Sequence, residues 1–173
     1  YNLGLMVKNT LSVYEDALRN PKLLIIKVSS IGDVILSSAA LRAIREKFNP
    51  SATPGADNYK ISFLVGEESR DLLIGCPYID ELLILDFKNK DKGLSGLLKL
   101  GRQLRKKNFD IVIDLQNNRK SHILSGLSLA LNRYGYDNQK FGFLLNHRIR
   151  DEKPKLDPVT HQFRILKMLC IDL

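Results

Sequence analysis

Apolar residues fall along the chain in short runs of strand length, separated by longer stretches with helical spacing. Runs rich in Leu, Ile and Val lie at 23–28, 61–65, 82–85 and 109–115, with a further short strand expected at 134–136. Helical spacing is present at 34–48, 67–74, 94–107, 121–131 and 159–169. Strands that alternate with crossover helices predict a parallel sheet covered by helices on both faces. We therefore expect an α/β, Rossmann-like fold.

The same pattern divides the chain into three parts. Residues 1–20 have apolar positions three and four residues apart and are followed by Pro21, so segment 1–21 is predicted to be an amphipathic helix. Residues 22–150 form the predicted Rossmann-like domain. A charged stretch with two prolines begins at Asp151, so residues 151–173 are predicted to be a linker followed by a helix.

The charge of the chain favours an anionic partner. Lys and Arg number 27 against 19 Asp and Glu, which gives a net charge of +8. Such a balance suits a phosphorylated ligand, an acidic membrane surface or nucleic acid. A basic protein with no such partner stays open on charge alone. The sequence carries no recognised nucleic-acid-binding motif, so we expect no nucleic-acid partner.

Composition narrows the setting of the protein. The chain is 44% hydrophobic and 27% charged, as in ordinary globular domains. It has no run of 18 apolar residues, and its N-terminal segment lacks the apolar core of a signal peptide. Cys76 and Cys170 lie far apart without metal-ligand spacing, which fits a reduced, cytosolic setting better than a disulfide framework.

Several common catalytic signatures are missing from the sequence. It contains no G-x-G-x-x-G after the first predicted strand, no G-x-x-x-x-G-K-[ST] and no G-x-S-x-G. It also lacks Asp-x-Asp, so chelation of a metal–nucleotide complex by that motif is not expected. His122, His147 and His161 have no metal-ligand spacing, and each is expected to be structural or exposed.

Polar residues gather directly after the predicted strands, where open parallel sheets bind their ligands. The candidates are Ser29, Ser30, Gly32 and Asp33 after the first strand and Gln116 and Lys120 after the fourth. Asp33 fits either a helix N-cap or a general base that takes a proton from a substrate hydroxyl. Gly32 indicates a positive φ angle or the close approach of a ligand. Lys120 suits either a phosphate or carboxylate contact or a solvated helix start.

Two longer segments resemble signatures of the ADP-heptose:lipopolysaccharide heptosyltransferase family. Segment 24–34 (LIIKVSSIGDV), followed by 39–43 (AALRA), is similar to the opening of the family. Segment 109–116 (FDIVIDLQ), continuing to Lys120 and Ser121, is similar to its second signature. Weaker features follow in the same order at 133–137, 146–148 and His161. The resemblance covers residues 22–171.

The resemblance implies the N-terminal half of a GT-B architecture, in which two Rossmann-like domains face each other across a cleft. The first domain binds the acceptor, an anionic lipid-linked sugar core, and the second binds a nucleotide-sugar, ADP-heptose in this family. Transfer inverts the anomeric centre and uses no metal or other cofactor. The catalytic aspartate of the family falls on Asp33. The resemblance gives Ser29, Ser30 and Gly32 contacts to the donor sugar, and Gln116 and Lys120 contacts to the acceptor.

Two departures from the family pattern carry expectations of their own. The glycine that usually follows the glutamine is Asn117 here, and Asn tolerates a left-handed conformation, so we expect the turn to survive. The donor-binding residues lie outside this chain, and we expect a C-terminal domain to supply them. The resemblance also implies a cytoplasmic enzyme and leaves open a peripheral contact with the inner membrane. An alternative from another class is a non-catalytic module that binds an anionic glycan.

Overall fold

The computed structural model of the chain describes residues 21–49, 59–86, 89, 91–137, 140–150 and 156–173. The amphipathic helix predicted over residues 1–20 lies outside these ranges, as does most of the linker predicted from Asp151. The candidate site residues named above all lie within them.

The described residues form a six-stranded sheet in the order β3-β2-β1-β4-β5-β6, with every neighbouring pair parallel. The strands are β1 (Lys22–Ile26), β2 (Lys60–Gly66), β3 (Glu81–Leu85), β4 (Ile111–Asp114), β5 (Asn132–Tyr136) and β6 (His147–Ile149). This arrangement confirms the predicted α/β, Rossmann-like fold. Because β1 and β4 are neighbours and the chain leaves them in opposite directions, the ligand crevice is expected at their carboxyl ends.

Helices cover both faces of the sheet. They are α1 (Ile31–Leu36), α2 (Ser38–Phe48), α3 (Gly93–Lys106), α4 (Arg119–Ser128) and α5 (Pro158–Lys167), with 3-10 turns at Glu67–Leu72 and Gly142–Leu144. The single helix predicted over 34–48 begins earlier and is interrupted at Ser37. The Ser37 hydroxyl donates a hydrogen bond of 2.8 Å to the carbonyl oxygen of Asp33, four residues back. Such bonds bend helices, which accounts for the break.

The central strand β1 contributes to two separate cores. Leu23 and Ile25 pack with residues of α1, α2 and α5, whereas Leu24 and Ile26 pack with residues of α3 and α4. All four side chains are fully buried. A strand buried on both faces needs apolar residues in unbroken succession, which is why this segment reads as a run rather than as an alternation.

Helix α5 packs on the same sheet as the rest of the domain. Phe163, Ile165 and Leu166 are buried in the core that contains Leu23. The Tyr136 hydroxyl, at the end of β5, donates a hydrogen bond of 2.7 Å to the carbonyl oxygen of His161. Residues 156–173 therefore contribute to the core, and the domain boundary at Asp151 stays a prediction.

Two further observations concern membrane spans and thiols. No helix in the described part of the chain is long and apolar enough to cross a membrane. Cys76 and Cys170 are both free thiols, as the sequence predicts.

Candidate active site at the carboxyl ends of β1 and β4

Asp33 lies in the first turn of α1 and forms an ion pair with Lys27. Its Oδ2 atom is 3.1 Å from Lys27 Nζ, and the two side chains are 39% and 9% exposed respectively. Ser30 occupies the N-cap position of α1, so Asp33 is not the helix cap. The buried ammonium group holds one carboxylate oxygen, while part of the carboxylate stays exposed to solvent.

Gln116 connects the end of β4 to the loop that follows β1. Its Oε1 atom accepts hydrogen bonds from Val28 N–H at 2.7 Å and from Ser29 N–H at 2.9 Å. Its Nε2 atom lies 3.4 Å from Ser29 Oγ. The structure therefore brings Gln116 and Ser29 together, as their places after neighbouring strands predict. Their contact is a hydrogen bond within the protein and not a contact to a ligand.

Asp114 ends β4 and fixes the turn that carries Gln116. Its Oδ1 atom accepts hydrogen bonds of 3.0 Å from the N–H groups of Gln116 and Asn117. Asn117 has a φ angle of 55°, so the expected left-handed turn is present. This local Asx-type bonding is a common use of aspartate where a strand ends.

The Asp114 carboxyl is fully buried beside the ring of His122. Asp114 Oδ2 and His122 Nε2 are 3.7 Å apart, and neither has a hydrogen-bond partner within the described residues. Burial raises the pKa of the Asp114 carboxyl, although the N–H groups of Asn117 and Gln116 and the His122 ring oppose the rise. The buried Asp114 side chain therefore holds the backbone of the turn, and the His122 ring packs against its other oxygen.

Lys120 lies in the first turn of α4, directly after the β4 loop. Asn118 caps this helix by accepting hydrogen bonds of 3.0 Å from the N–H groups of Lys120 and Ser121. Ser121 returns a contact to the Asn118 backbone N–H, which completes a capping box. The positive end of the helix and the exposed side chains of Arg119 and Lys120 favour anionic groups here.

A cavity of about 620 Å³ opens at this rim of the sheet. Its lining residues are Val28, Ser29, Gly66, Glu67, Glu68, Leu85, Asp86, Asn89, Asn118, Arg119, Lys120, Ser121 and Leu124. The acidic members follow β2 and β3, whereas the basic members begin α4. A cavity with a few apolar side chains and many polar ones suits a ligand with several hydroxyls and an anionic group.

The predicted site residues divide into two groups. Ser29 and Lys120 line the cavity, whereas Asp33, Ser30, Gly32 and Gln116 are not among its described lining residues. Gly32 is helical and has no positive φ angle, so that explanation for it is wrong. A Cβ atom at Gly32 would meet no atom within 4 Å, so no contact within the described residues requires glycine there, and the close approach of a ligand stays a prediction.

The three histidines have structural contacts, as predicted. His122 is buried beside Asp114, His147 stacks on Tyr134, and His161 stacks on Tyr136 with ring centroids 3.9 Å apart. Within the described residues, no group of three or more His, Cys, Asp or Glu side chains could hold a metal ion.

Sequence reasoning missed three features of the site. The ion pair of Lys27 was missed because this residue lies within the apolar run 23–28. A lone charged residue in such a run indicates that its side chain has a partner. The pairing of Asp114 with His122 joins positions eight residues apart across a helix start. Two of the acidic residues that line the cavity, Glu68 and Asp86, follow β2 and β3 and could have been found by the strand-end rule.

Comparisons with known proteins agree with the geometry. A family model described as glycosyltransferase family 9 (heptosyltransferase) matches residues 97–173. Lipopolysaccharide heptosyltransferase 1 of Campylobacter coli is 32% identical over 136 residues, which cover 79% of this chain and 36% of that protein. The chain spans about a third of the length of the curated relatives it matches.

Solved structures share the fold. A glycosyl transferase family 9 protein from Veillonella parvula superposes with a TM-score of 0.73 at 22% identity, over 88% of this chain and 42% of that one. E. coli heptosyltransferase WaaC with ADP-2-deoxy-2-fluoro heptose gives a TM-score of 0.68 at 22% identity, over 87% and 49% of the two chains. The family model and the sequence relatives together relate the chain to glycosyltransferase family 9, the heptosyltransferase family.

Proposed function

We propose that this chain is the acceptor-binding half of an inverting, metal-independent glycosyltransferase of GT-B architecture. It transfers heptose, or a related sugar, from a nucleotide-sugar to a lipopolysaccharide core or a similar surface glycan. The observation that carries the proposal is the Lys27–Asp33 ion pair, which presents a carboxylate at the rim of the sheet where Rossmann-like folds bind ligands. Similarity to glycosyltransferase family 9 supports the reaction class.

Asp33 is the general base in this proposal. Its carboxylate takes the proton of an acceptor hydroxyl, and the hydroxyl oxygen forms a bond to the anomeric carbon of the donor sugar. The bond from that carbon to the nucleotide diphosphate breaks, and its electron pair leaves on the phosphate oxygen. Attack from the face opposite the leaving group inverts the anomeric centre. Lys27 keeps the carboxylate oriented throughout.

The cavity beside Ser29 and Lys120 is the proposed acceptor pocket. Arg119 and Lys120 bind phosphate or carboxylate groups of the sugar core at the start of α4, where the helix dipole also favours anions. Glu67, Glu68 and Asp86 accept hydrogen bonds from sugar hydroxyls. A mixture of both charge signs suits a phosphorylated saccharide better than a purely anionic ligand.

The nucleotide-sugar is bound by a C-terminal domain in this proposal, with Ser29, Ser30 and Gly32 approaching the donor sugar from the acceptor side. Support for an ADP-linked heptose comes from the E. coli heptosyltransferase WaaC structures, one with ADP and one with ADP-2-deoxy-2-fluoro heptose. The absence of Asp-x-Asp from the sequence supports a reaction in which no metal bridges that motif and the diphosphate.

We further propose that the protein works in the cytoplasm and contacts the inner membrane peripherally. Phe141 and Phe143, between β5 and β6, are 40% and 69% exposed, and their ring centroids are 6.1 Å apart. Lys140 precedes them and is exposed, and the exposed residue Arg150 directly follows β6. Aromatic rings beside basic residues suit the surface of an anionic bilayer.

The proposed base can be tested by sugar transfer with the full-length protein, ADP-heptose and a deacylated core acceptor. Asp33→Asn keeps the shape of the side chain but cannot take the proton, so we expect the rate to fall about a hundredfold or more. Asp71→Asn, in the exposed 3-10 turn after β2, is the matched control and should leave the rate unchanged. Circular dichroism would verify the fold of each variant.

Two outcomes would contradict the proposal. Near-normal transfer by Asp33→Asn would remove Asp33 as the base. Acceptor binding without transfer by the wild-type protein would favour a non-catalytic module that binds an anionic glycan.

A further inference from the structure

The oxygen of the Gln116 carboxamide has no capacity left for a ligand. A carbonyl oxygen has two lone pairs, and the N–H groups of Val28 and Ser29 occupy both. These two N–H groups follow the last residue of β1 and would otherwise lack a partner in the sheet. The side chain expected to contact an acceptor thus serves the backbone of the β1–α1 loop.

Val28 is held from two sides. Its N–H donates to Gln116, and its carbonyl oxygen accepts a hydrogen bond of 3.1 Å from Gly66 N–H at the end of β2. A Cβ atom on Gly66 would lie 2.7 Å from that oxygen, so the close approach of β2 depends on glycine. Gly66 at the end of β2 and Gln116 just after β4 therefore fix the position of a loop residue that belongs to neither strand.

The clamped residues lie between the two members of the ion pair. Lys27 directly precedes Val28, and Asp33 follows Ser29 by four residues, in the first turn of α1. A shift of Val28 and Ser29 would change the separation of Lys27 Nζ and Asp33 Oδ2, now 3.1 Å. A displacement of about 1 Å at a reacting group can cost roughly a hundredfold in rate.

Gln116 has a buried anchor of its own. Asp114 Oδ1 binds the backbone N–H of Gln116 at 3.0 Å, and the Asp114 side chain is fully buried. Leu115 N–H donates to the carbonyl oxygen of Ile26 at 3.0 Å, so the residue between them is tied to β1 as well. The turn is thus fixed on the sheet before the Gln116 side chain reaches across.

We propose that Gln116 is a positioning residue that sets the geometry of Asp33, with Asp114 as its anchor. The inference rests on the proposed function, because it assigns to Gln116 a part in the transfer reaction. It replaces an acceptor contact by a backbone clamp and therefore predicts a different kinetic signature.

The test compares transfer by wild type, Gln116→Leu and Gln116→Glu in the full-length protein. Gln116→Leu removes the acceptor of both hydrogen bonds, so we expect kcat to fall about a hundredfold with the acceptor KM changed by less than about threefold. Gln116→Glu retains an oxygen at the same place and should restore kcat to within about tenfold of wild type. Gln103→Leu, on the exposed face of α3, is the matched control.

A double-mutant cycle separates positioning of Asp33 from a general loss of structure. If Gln116 acts through Asp33, Gln116→Leu should have little further effect on kcat in an Asp33→Asn background. Additive losses would overturn the inference, and so would a rise in acceptor KM at unchanged kcat, which would return Gln116 to the acceptor pocket.

Amide hydrogen exchange measures the clamp without any transfer. Exchange at Val28 and Ser29 should become about tenfold faster in Gln116→Leu and stay unchanged in Gln103→Leu. Unchanged exchange in Gln116→Leu would overturn the clamp. Accelerated exchange together with no transfer by wild type would contradict the proposed function and leave the clamp standing.

Discussion

Asp114 and His122 show how a single buried polar residue can support a rim that faces solvent. One oxygen of Asp114 serves two backbone N–H groups, while the other faces an imidazole nitrogen 3.7 Å away. Burial without full hydrogen bonding costs free energy, because the charged carboxylate is removed from water. In return, the two hydrogen bonds to Asp114 Oδ1 fix the turn that carries Gln116.

Replacing Asp114 with Asn should change how stability depends on pH. Because the folded-state pKa of Asp114 is raised above 3.8, its contribution to stability is fully present below that pH and is lost as pH rises through the folded-state value. Asn retains the Oδ1 acceptor, and its carboxamide does not titrate, so its contribution to stability does not fall as pH rises. We expect Asp114→Asn to gain stability relative to wild type as the pH is raised from 4 towards 7.

Urea unfolding of both proteins across that pH range would measure the effect, with Asp71→Asn as an exposed control. Parallel pH profiles for wild type and Asp114→Asn would show that the buried carboxyl has no raised pKa in the folded protein.

Individual site residues were predictable where the strand-end rule applied. Ser29, Asp33, Gln116 and Lys120 all follow β1 or β4, and the parallel sheet brings those strand ends together. Their hydrogen-bond and ion-pair partners were harder to predict, because these contacts depend on the directions of side chains from different loops. The Gln116 contact to Val28 and the burial of Lys27 emerge only when two distant loops are placed in space.

The helices at the rim differ in how they begin. Helix α4 has a complete capping box at Asn118, whereas Ser30 caps α1 without a side-chain hydrogen bond. The start of α4 is therefore fixed locally, while the start of α1 depends on the Gln116 clamp and the Lys27–Asp33 pair. The two helix starts at the candidate site are thus fixed by different kinds of contact, a local capping box for α4 and contacts to distant residues for α1.

Removing each cap should separate these two cases. Asn118→Ala removes two hydrogen bonds to helix N–H groups and should lower the free energy of unfolding by about 1 kcal/mol. Ser30→Ala, the matched N-cap variant, should change it by less than about 0.5 kcal/mol, since no cap bond is lost. Equal losses in urea unfolding for both variants would contradict the difference between the helix starts.

At the level of elements, the spacing of apolar residues predicted the bounds of the strands better than those of the helices between them. The strand runs 61–65 and 82–85 nearly match β2 and β3, because buried parallel strands are continuous apolar segments. The break at Ser37 was not predictable from apolar spacing, since it comes from a hydroxyl that bonds back along the helix. Strand β6 has three residues, with exposed Arg148 between half-buried neighbours, too short a pattern to detect.

Across the whole molecule, exposed basic residues follow the carboxyl ends of β4 and β5. Arg119 and Lys120 lie after β4, and Lys140 lies four residues after β5, whereas Phe143 lies in the connection that leads back to the start of β6. The proposed acceptor pocket opens at the carboxyl ends of the strands. A protein that draws a lipid-linked acceptor from a bilayer gains by presenting this end to the membrane.

Vesicle sedimentation can test the proposed membrane contact. Phe143→Ser should weaken binding to vesicles of phosphatidylcholine and phosphatidylglycerol about tenfold, because an aromatic ring no longer enters the interface. Leu131→Ser alters an aliphatic side chain that is 76% exposed and directly precedes β5, and it should leave binding unchanged. Added salt should weaken wild-type binding. Equal losses for both variants, or equal binding to vesicles without phosphatidylglycerol, would contradict the proposed contact.

The Gln116 clamp also has a consequence for the newly made chain. Val28 and Gln116 are 88 residues apart, so the loop that carries Asp33 leaves the ribosome long before its clamp exists. At about 5–20 residues per second, that interval is roughly 4 to 18 s. Until then, the serines and the aspartate belong to an unanchored peptide. The proposed active site therefore comes into being only after the second half of the domain has been synthesised.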